Sequence, residues 1–190
     1  SPAHILEKII SYESVHAIQS WDDLRRRLEP DDRRCFAFFH PAMPDEPLIF
    51  VEVALTRGTP NSIQSILSET HRSLAATNAD TATFYSISNC QAGLAGISFG
   101  NSLIKTVVQH LLRDLPQIKT FVTLSPIPGF VKWLRENNQR EEMSDPQTLL
   151  PLVAHYLLLA KQRRGQPRDP VARFHLNNGA LVEAVHADAD

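Results

Sequence analysis

The sequence predicts an α+β fold, a mixed β-sheet with flanking helices, and three observations carry that prediction. Short apolar runs rich in aromatic and β-branched residues recur along the chain, as half-buried strands require. Elsewhere the apolar residues fall at spacings of three and four, the period of a helix with one buried face. A strand, a Gly-rich turn, an amphipathic helix and a second strand also follow one another in the order of a βαβ unit.

In chain order, Ile5–Ile10 and Trp21–Leu28 read as helices. Ser20 is a natural N-cap for the second, and Asp22 and Asp23 stand in its first turn, where acidic side chains suit the helix dipole. Cys35–Phe39 and Leu48–Leu55 are strand candidates, with the Pro-rich stretch His40–Pro47 as a stiff loop between them. Thr81–Ile87 and Lys119–Leu124 are further strands, and Gly100–Leu115 between them carries Leu103, Val107 and Leu111 on one helical face. Trp133–Met143 is polar and reads as a helix end or loop; Leu149–Ala160 is an apolar helix. After a break at Pro167–Pro170, Val171–Leu176 is expected as a strand and Leu181–Val185 as a short closing strand.

Composition excludes several classes. The 190 residues, 43% hydrophobic and 21% charged, suit one globular domain over 1–190. A net charge of −2 argues against nucleic-acid or membrane-surface binding. Cys35 and Cys90 form neither a disulfide framework nor a Cys-x-x-Cys metal site, which predicts a reducing compartment. No apolar run approaches the roughly 18 residues of a membrane span. Ser1-Pro2-Ala3-His4 lacks an initiator Met and a targeting-peptide pattern, so the chain is expected to begin inside something longer.

Three segments could carry chemistry. Gln91–Asn101 has three glycines in eight residues between a strand and a helix. Glycine lets the backbone approach a ligand, and the N–H groups of the following helix favour an anion such as a diphosphate. Many such turns are only tight connections, and this one matches neither a Walker A loop nor Gly-x-Gly-x-x-Gly. Thr123–Phe130 places Ser125 after a strand, braced by Pro126 and Pro128. Taken alone, Ser-Pro more often begins a turn, and without a Gly-x-Ser-x-Gly elbow Ser125 is not expected as a nucleophile. In Asp169–Ala180, His175 precedes the turn signal Asn178-Gly179; on its own it reads as a structural histidine. No His pair has metal-ligand spacing with a carboxylate, so no metal site is expected.

Phe84-Tyr85-Ser86-Ile87-Ser88, Gly93-Leu94 with Gly96–Gly100, Leu103-Ile104-Lys105, Leu124–Phe130 with Trp133, and Pro170-Val171-Ala172 with Phe174-His175-Leu176 together resemble the malonyl-CoA decarboxylase family. Pro47-Leu48 and Val53–Thr56 add to the likeness, and the blocks cover nearly the whole chain in the family's order. The resemblance implies a fold similar to the Gcn5-related N-acetyltransferases, with the coenzyme A diphosphate at Ala95, Gly96, Ile97, Ser98, Phe99, Gly100 and Asn101, where Ser98 contributes backbone. It implies Ser125 and His175 as the catalytic pair for conversion of malonyl-CoA to acetyl-CoA and CO2.

A thioester is itself an electron sink, so no cofactor is expected beyond the coenzyme A of the substrate. A fixed hydroxyl can hold the carboxylate or enolate oxygen, and an imidazole can supply the proton to the α-carbon. His40 matches a family histidine, with a structural role favoured over a catalytic one; Asn178 is expected to orient the His175 loop. Family members also carry an N-terminal helical domain tied to oligomer formation and a tail beyond Asp190, and the animal members a longer segment over Trp133–Pro170. Homo-oligomers through that helical domain are therefore expected, as is a bacterial cytoplasmic or a mitochondrial or peroxisomal location rather than secretion. An acyl-CoA-dependent acyltransferase and a non-catalytic acyl-CoA-binding module are the competing readings.

Overall fold

The computed structural model describes residues 2–94, 99–137, 146–162, 165–187 and 189. The chain forms two compact units, Ser1–Leu124 and Ser125–Asp190.

The first unit holds a four-stranded mixed sheet in the order β1-β2-β3-β4, made of Arg33–His40, Met43–Thr56, Thr81–Asn89 and Thr120–Thr123. β1, β2 and β3 are antiparallel neighbours, while β3 and β4 run parallel. The parallel pair needs a crossover, and α4 (Phe99–Asp114) supplies it, completing the expected βαβ unit. Helices α1 (Ala3–Tyr12), α2 (Trp21–Leu28) and the short α3 (Ile63–Leu67) fill out the unit. Ser20 caps α2 as expected, its hydroxyl accepting the Asp23 N–H at 3.1 Å.

Strand alternation sorts β2 into two faces. Ile49, Val51, Val53 and Leu55 pack with Leu103, Val107 and Leu111 of α4. Phe50 lies on the other face with Ile5 and Ile9 of α1 and Leu24 of α2. Glu52 shares that second face, fully buried. Opposite it β3 has a bulge: Ser86 pairs with Glu52 and Phe84 with Val53, leaving Tyr85 as the extra residue.

The Pro-rich stretch differs from expectation. Only Pro41-Ala42 turns, and β2 begins at Met43. Pro44 and Pro47 are tolerated because the β2–β3 register ends at Ile49; beyond it Leu48 still accepts the Cys90 N–H at 2.9 Å, but neither proline has a partner in the β3 register. Register shifts on either side of Phe39 absorb the irregularity.

The second unit contains α5 (Phe130–Glu136), α6 (Pro146–Leu159) and α7 (Pro170–Asn177); α5 and α6 pack around Phe130, Trp133, Leu134, Val153 and Tyr156. Val171–Leu176, expected as a strand, is the body of α7. Asp169 is its N-cap and Pro170 its first residue, a pair that starts a helix whatever the β-propensity of the residues that follow. The expected closing strand Leu181–Val185 is irregular, with Leu181 and Val182 exposed. Among the described residues no helix is long and apolar enough to cross a membrane.

Candidate active site

Past β4 the chain turns through Ser125–Gly129 into α5. Pro126 and Pro128 fix φ on both sides of Ile127, so Ser125 stands on stiff backbone. Gly129 is forced by space. A Cβ there would lie 2.2 Å from the Tyr156 hydroxyl and 3.2 Å from Asp169 Oδ2.

His175 comes from the last turn of α7. Ser125 Oγ and His175 Nε2 are 3.1 Å apart, fifty positions apart in sequence, and both are half-buried. Burial holds the His175 imidazole below its ordinary pKa of 6.5, because removal from water penalises the charged form. The Phe174 ring meets it edge-on at 5.0 Å. The helix ends on a turn that grips His175 itself: Asn178 and Ala180 donate their N–H groups to its carbonyl at 3.0 and 3.1 Å, and Gly179 supplies the left-handed φ of +86°. Asn178 thus bears on His175 through backbone.

Asp169 bonds both the serine loop and the start of α7, and was not singled out by the sequence. It is 1% exposed. Its Oδ1 accepts the N–H groups of Val171 and Ala172 at 2.9 and 3.0 Å, capping α7, and its Oδ2 accepts the Gly129 N–H at 3.1 Å. The Tyr156 hydroxyl lies close to it beside Gly129; burial first, and then the Asp169 charge, push the Tyr156 pKa up. The Asp-Pro pair at 169–170 was the available signal.

Of the residues expected at the coenzyme A diphosphate, Ala95, Gly96, Ile97 and Ser98 lie outside the described residues. Phe99, Gly100 and Asn101 form the first turn of α4, so the Gly-rich stretch leads into the N-terminus of a 16-residue helix. His40 closes the β1–β2 turn, its exposed ring accepting the Ala42 N–H on Nδ1 at 3.1 Å. That is a structural task.

Comparison with known proteins accords with this picture. The model of the malonyl-CoA decarboxylase C-terminal domain matches residues 1–148 and 136–190. The mitochondrial malonyl-CoA decarboxylase of the goose Anser anser anser is 40% identical over 233 aligned positions, covering 98% of this chain and 46% of that protein. The mouse enzyme, also named mitochondrial, is 35% identical, covering 100% of this chain and 48% of its own length. The alignments are longer than the 190 residues, so these relatives carry insertions relative to this chain.

Among solved structures, malonyl-CoA decarboxylase from Rhodopseudomonas palustris superposes with a TM-score of 0.86 at 52% identity, over 94% of this chain and 50% of that one. The Agrobacterium vitis enzyme gives 0.88 at 51% identity, over 94% and 51%. The loading GNATL domain of CurA from Lyngbya majuscula, at 14% identity and a TM-score of 0.62 over 96% and 83%, shares the fold and only the fold. The α+β sheet with flanking helices is therefore of the Gcn5-related N-acetyltransferase type, as expected. The chain spans about half the length of the relatives it matches. With the family model matching along its whole length, this chain belongs to the malonyl-CoA decarboxylase family, in the region of its C-terminal domain.

Proposed function

We propose that residues 1–190 serve as a catalytic domain that converts malonyl-CoA to acetyl-CoA and CO2, with Ser125 and His175 handling the malonyl group. The observation that carries this reading is the 3.1 Å approach of Ser125 Oγ to His175 Nε2, from two stiff elements of the second unit.

Decarboxylation needs the malonyl carboxylate held out of the thioester plane, so that the electrons of the breaking C–C bond flow onto the thioester oxygen. CO2 leaves, and the enolate then takes one proton at the α-carbon. The imidazole, neutral at rest through burial, is protonated when the anionic malonyl group arrives beside it, since a nearby opposite charge favours the charged form. Nε2–H then donates to Ser125 Oγ, which leaves the serine hydroxyl free to donate to the carboxylate or enolate oxygen. Histidinium afterwards gives its proton to the α-carbon.

Ala95, Gly96, Ile97, Ser98, Phe99, Gly100 and Asn101 are assigned to the coenzyme A diphosphate, which the N-terminus of α4 favours. The substrate's own coenzyme A is the only cofactor this chemistry calls on. Homo-oligomers form through the helical domain characteristic of the family. The protein works in the bacterial cytoplasm or in a mitochondrial or peroxisomal matrix, a reading supported by relatives named mitochondrial.

The test is acceptor-free turnover of malonyl-CoA by the full-length protein in D2O, with Ser125→Ala beside it. Deuterated acetyl-CoA and CO2 in equal amounts are expected, with roughly 10²–10³-fold slower turnover in the variant. Turnover that requires an amine acceptor would point to acyl transfer instead. A Ser125→Ala variant with wild-type rate would overturn the role of Ser125.

A further inference from the structure

We propose that Asp169 is a positioning residue that sets the Ser125–His175 geometry by tying the serine loop and the histidine helix to a single buried carboxylate. The inference deepens the reading of Ser125 and His175 as the reacting pair, and rests on it.

The argument starts from what each carboxylate oxygen holds. Oδ1 takes two N–H groups of the first turn of α7, fixing where that helix starts and which way it points. Oδ2 takes the N–H of Gly129, fixing the exit of the loop that carries Ser125. From Gly129 the rigid Ser125–Pro126–Ile127–Pro128 segment reaches the hydroxyl, and from Asp169 less than two turns of helix reach the imidazole. Two short stiff arms therefore hinge on one side chain. Asp169 accepts no hydrogen bond from either reacting residue, so it acts through the backbone.

Two further features belong to the same device. The Tyr156 hydroxyl crowds the same side of Gly129 as Asp169 Oδ2. Gly129 keeps its backbone close enough to Oδ2 because it has no Cβ; any side chain there would meet the Tyr156 hydroxyl at 2.2 Å. A helix cap alone would need neither feature. It is a built junction, 1% exposed and filled from three directions.

Asp169→Asn in the full-length protein tests the proposal. The amide oxygen can still cap α7, but the NH2 group cannot accept the Gly129 N–H, so one arm is released while the helix keeps its cap. Malonyl-CoA turnover is expected to fall roughly 10²-fold in kcat with KM nearly unchanged, the signature of displaced reacting groups. In the same variant the His175 imidazole, followed by NMR titration, is expected to move back towards an ordinary value.

A folded Asp169→Asn protein with wild-type kcat and an unchanged His175 titration would overturn the proposal. So would a loss of kcat that merely tracks loss of folded protein while His175 titrates as before. If Asp169→Asn does not fold, Tyr156→Phe decides. It removes the hydroxyl that crowds Gly129 beside the carboxylate, and a several-fold drop in kcat at constant KM with a shifted His175 titration is expected; wild-type values in both would overturn the role. Should the wild-type protein not decarboxylate malonyl-CoA at all, the reaction reading fails, and the His175 titration still judges Asp169 by itself.

Discussion

Glu52 in the first unit and Asp169 in the second are both fully buried carboxylates, and they are treated in opposite ways. Asp169 has donors on both oxygens, the backbone N–H groups of Gly129, Val171 and Ala172. Glu52 has Arg27 at 3.3 Å on Oε2, while its Oε1 and the nearby Tyr85 hydroxyl find no partner among the described residues. Glu13 lies beside it and collects the hydroxyls of Ser86 and Ser88 and the N–H groups of Val15 and His16. Desolvation, reinforced by the Glu13 charge, pushes Glu52 up to about 8 against the pull of Arg27. A satisfied buried carboxylate is a geometric fixture; a half-satisfied one is a place where a proton sits.

The comparison can be broken most forcefully at Gly129. Gly129→Ala drives a methyl group into the Tyr156 hydroxyl, and Tyr156 is itself buried and cannot swing away. Overpacking of this kind costs typically about 1–3 kcal/mol. Urea unfolding is expected to show that loss together with reduced turnover; a variant of unchanged stability would mean the junction yields freely.

Glu52→Gln sharpens the other half. The folded state keeps the Glu52 proton up to about pH 8, whereas the unfolded chain releases it near 4.5. Stability from this group is therefore full below 4.5 and is lost as the pH rises through 8. Gln cannot ionise, so the stability difference between variant and wild type should grow in the variant's favour as the pH rises from 4.5 through 8. A difference independent of pH would show that Glu52 stays ionised. His175 has the opposite sign. Its folded pKa is depressed, so its contribution is present above 6.5 and declines as the pH falls below that value. The smallest effect is expected at His40→Ala, which loses one exposed turn bond: stability within about 0.5 kcal/mol and turnover unchanged. A large loss of turnover would move His40 from structure to chemistry.

How much was legible beforehand follows the same division. In the first unit, local pattern and tertiary demand agree. The apolar run Leu48–Leu55 of β2, the three–four spacing of α4 and the Ser20 cap were all readable, because each is a local signal within one element. Pro44 and Pro47 misled because proline excludes a central strand position, and whether a position is central depends on how far a neighbouring strand reaches. In the second unit, Val171, Phe174 and Leu176 have strand-like side chains, yet a capping carboxylate two residues before Val171 decides for helix. Ser125 and His175 carried no signal of their own in composition or spacing and were reached through family resemblance. Their 3.1 Å contact joins two segments that no local rule relates, and Asp169, which bonds to both, stood in the sequence only as part of the break at Pro167–Pro170.

The most direct test of the central claim is the pH dependence of malonyl-CoA decarboxylation by the full-length protein, wild type against His175→Gln. If His175 must carry the proton, kcat/KM should fall with rising pH above a pKa lower than 6.5, the limb for kcat should lie higher because the bound anion favours histidinium, and both limbs should vanish in the variant. A limb that persists in His175→Gln, or a kcat/KM that climbs through that range as the imidazole loses its proton, would contradict the assignment.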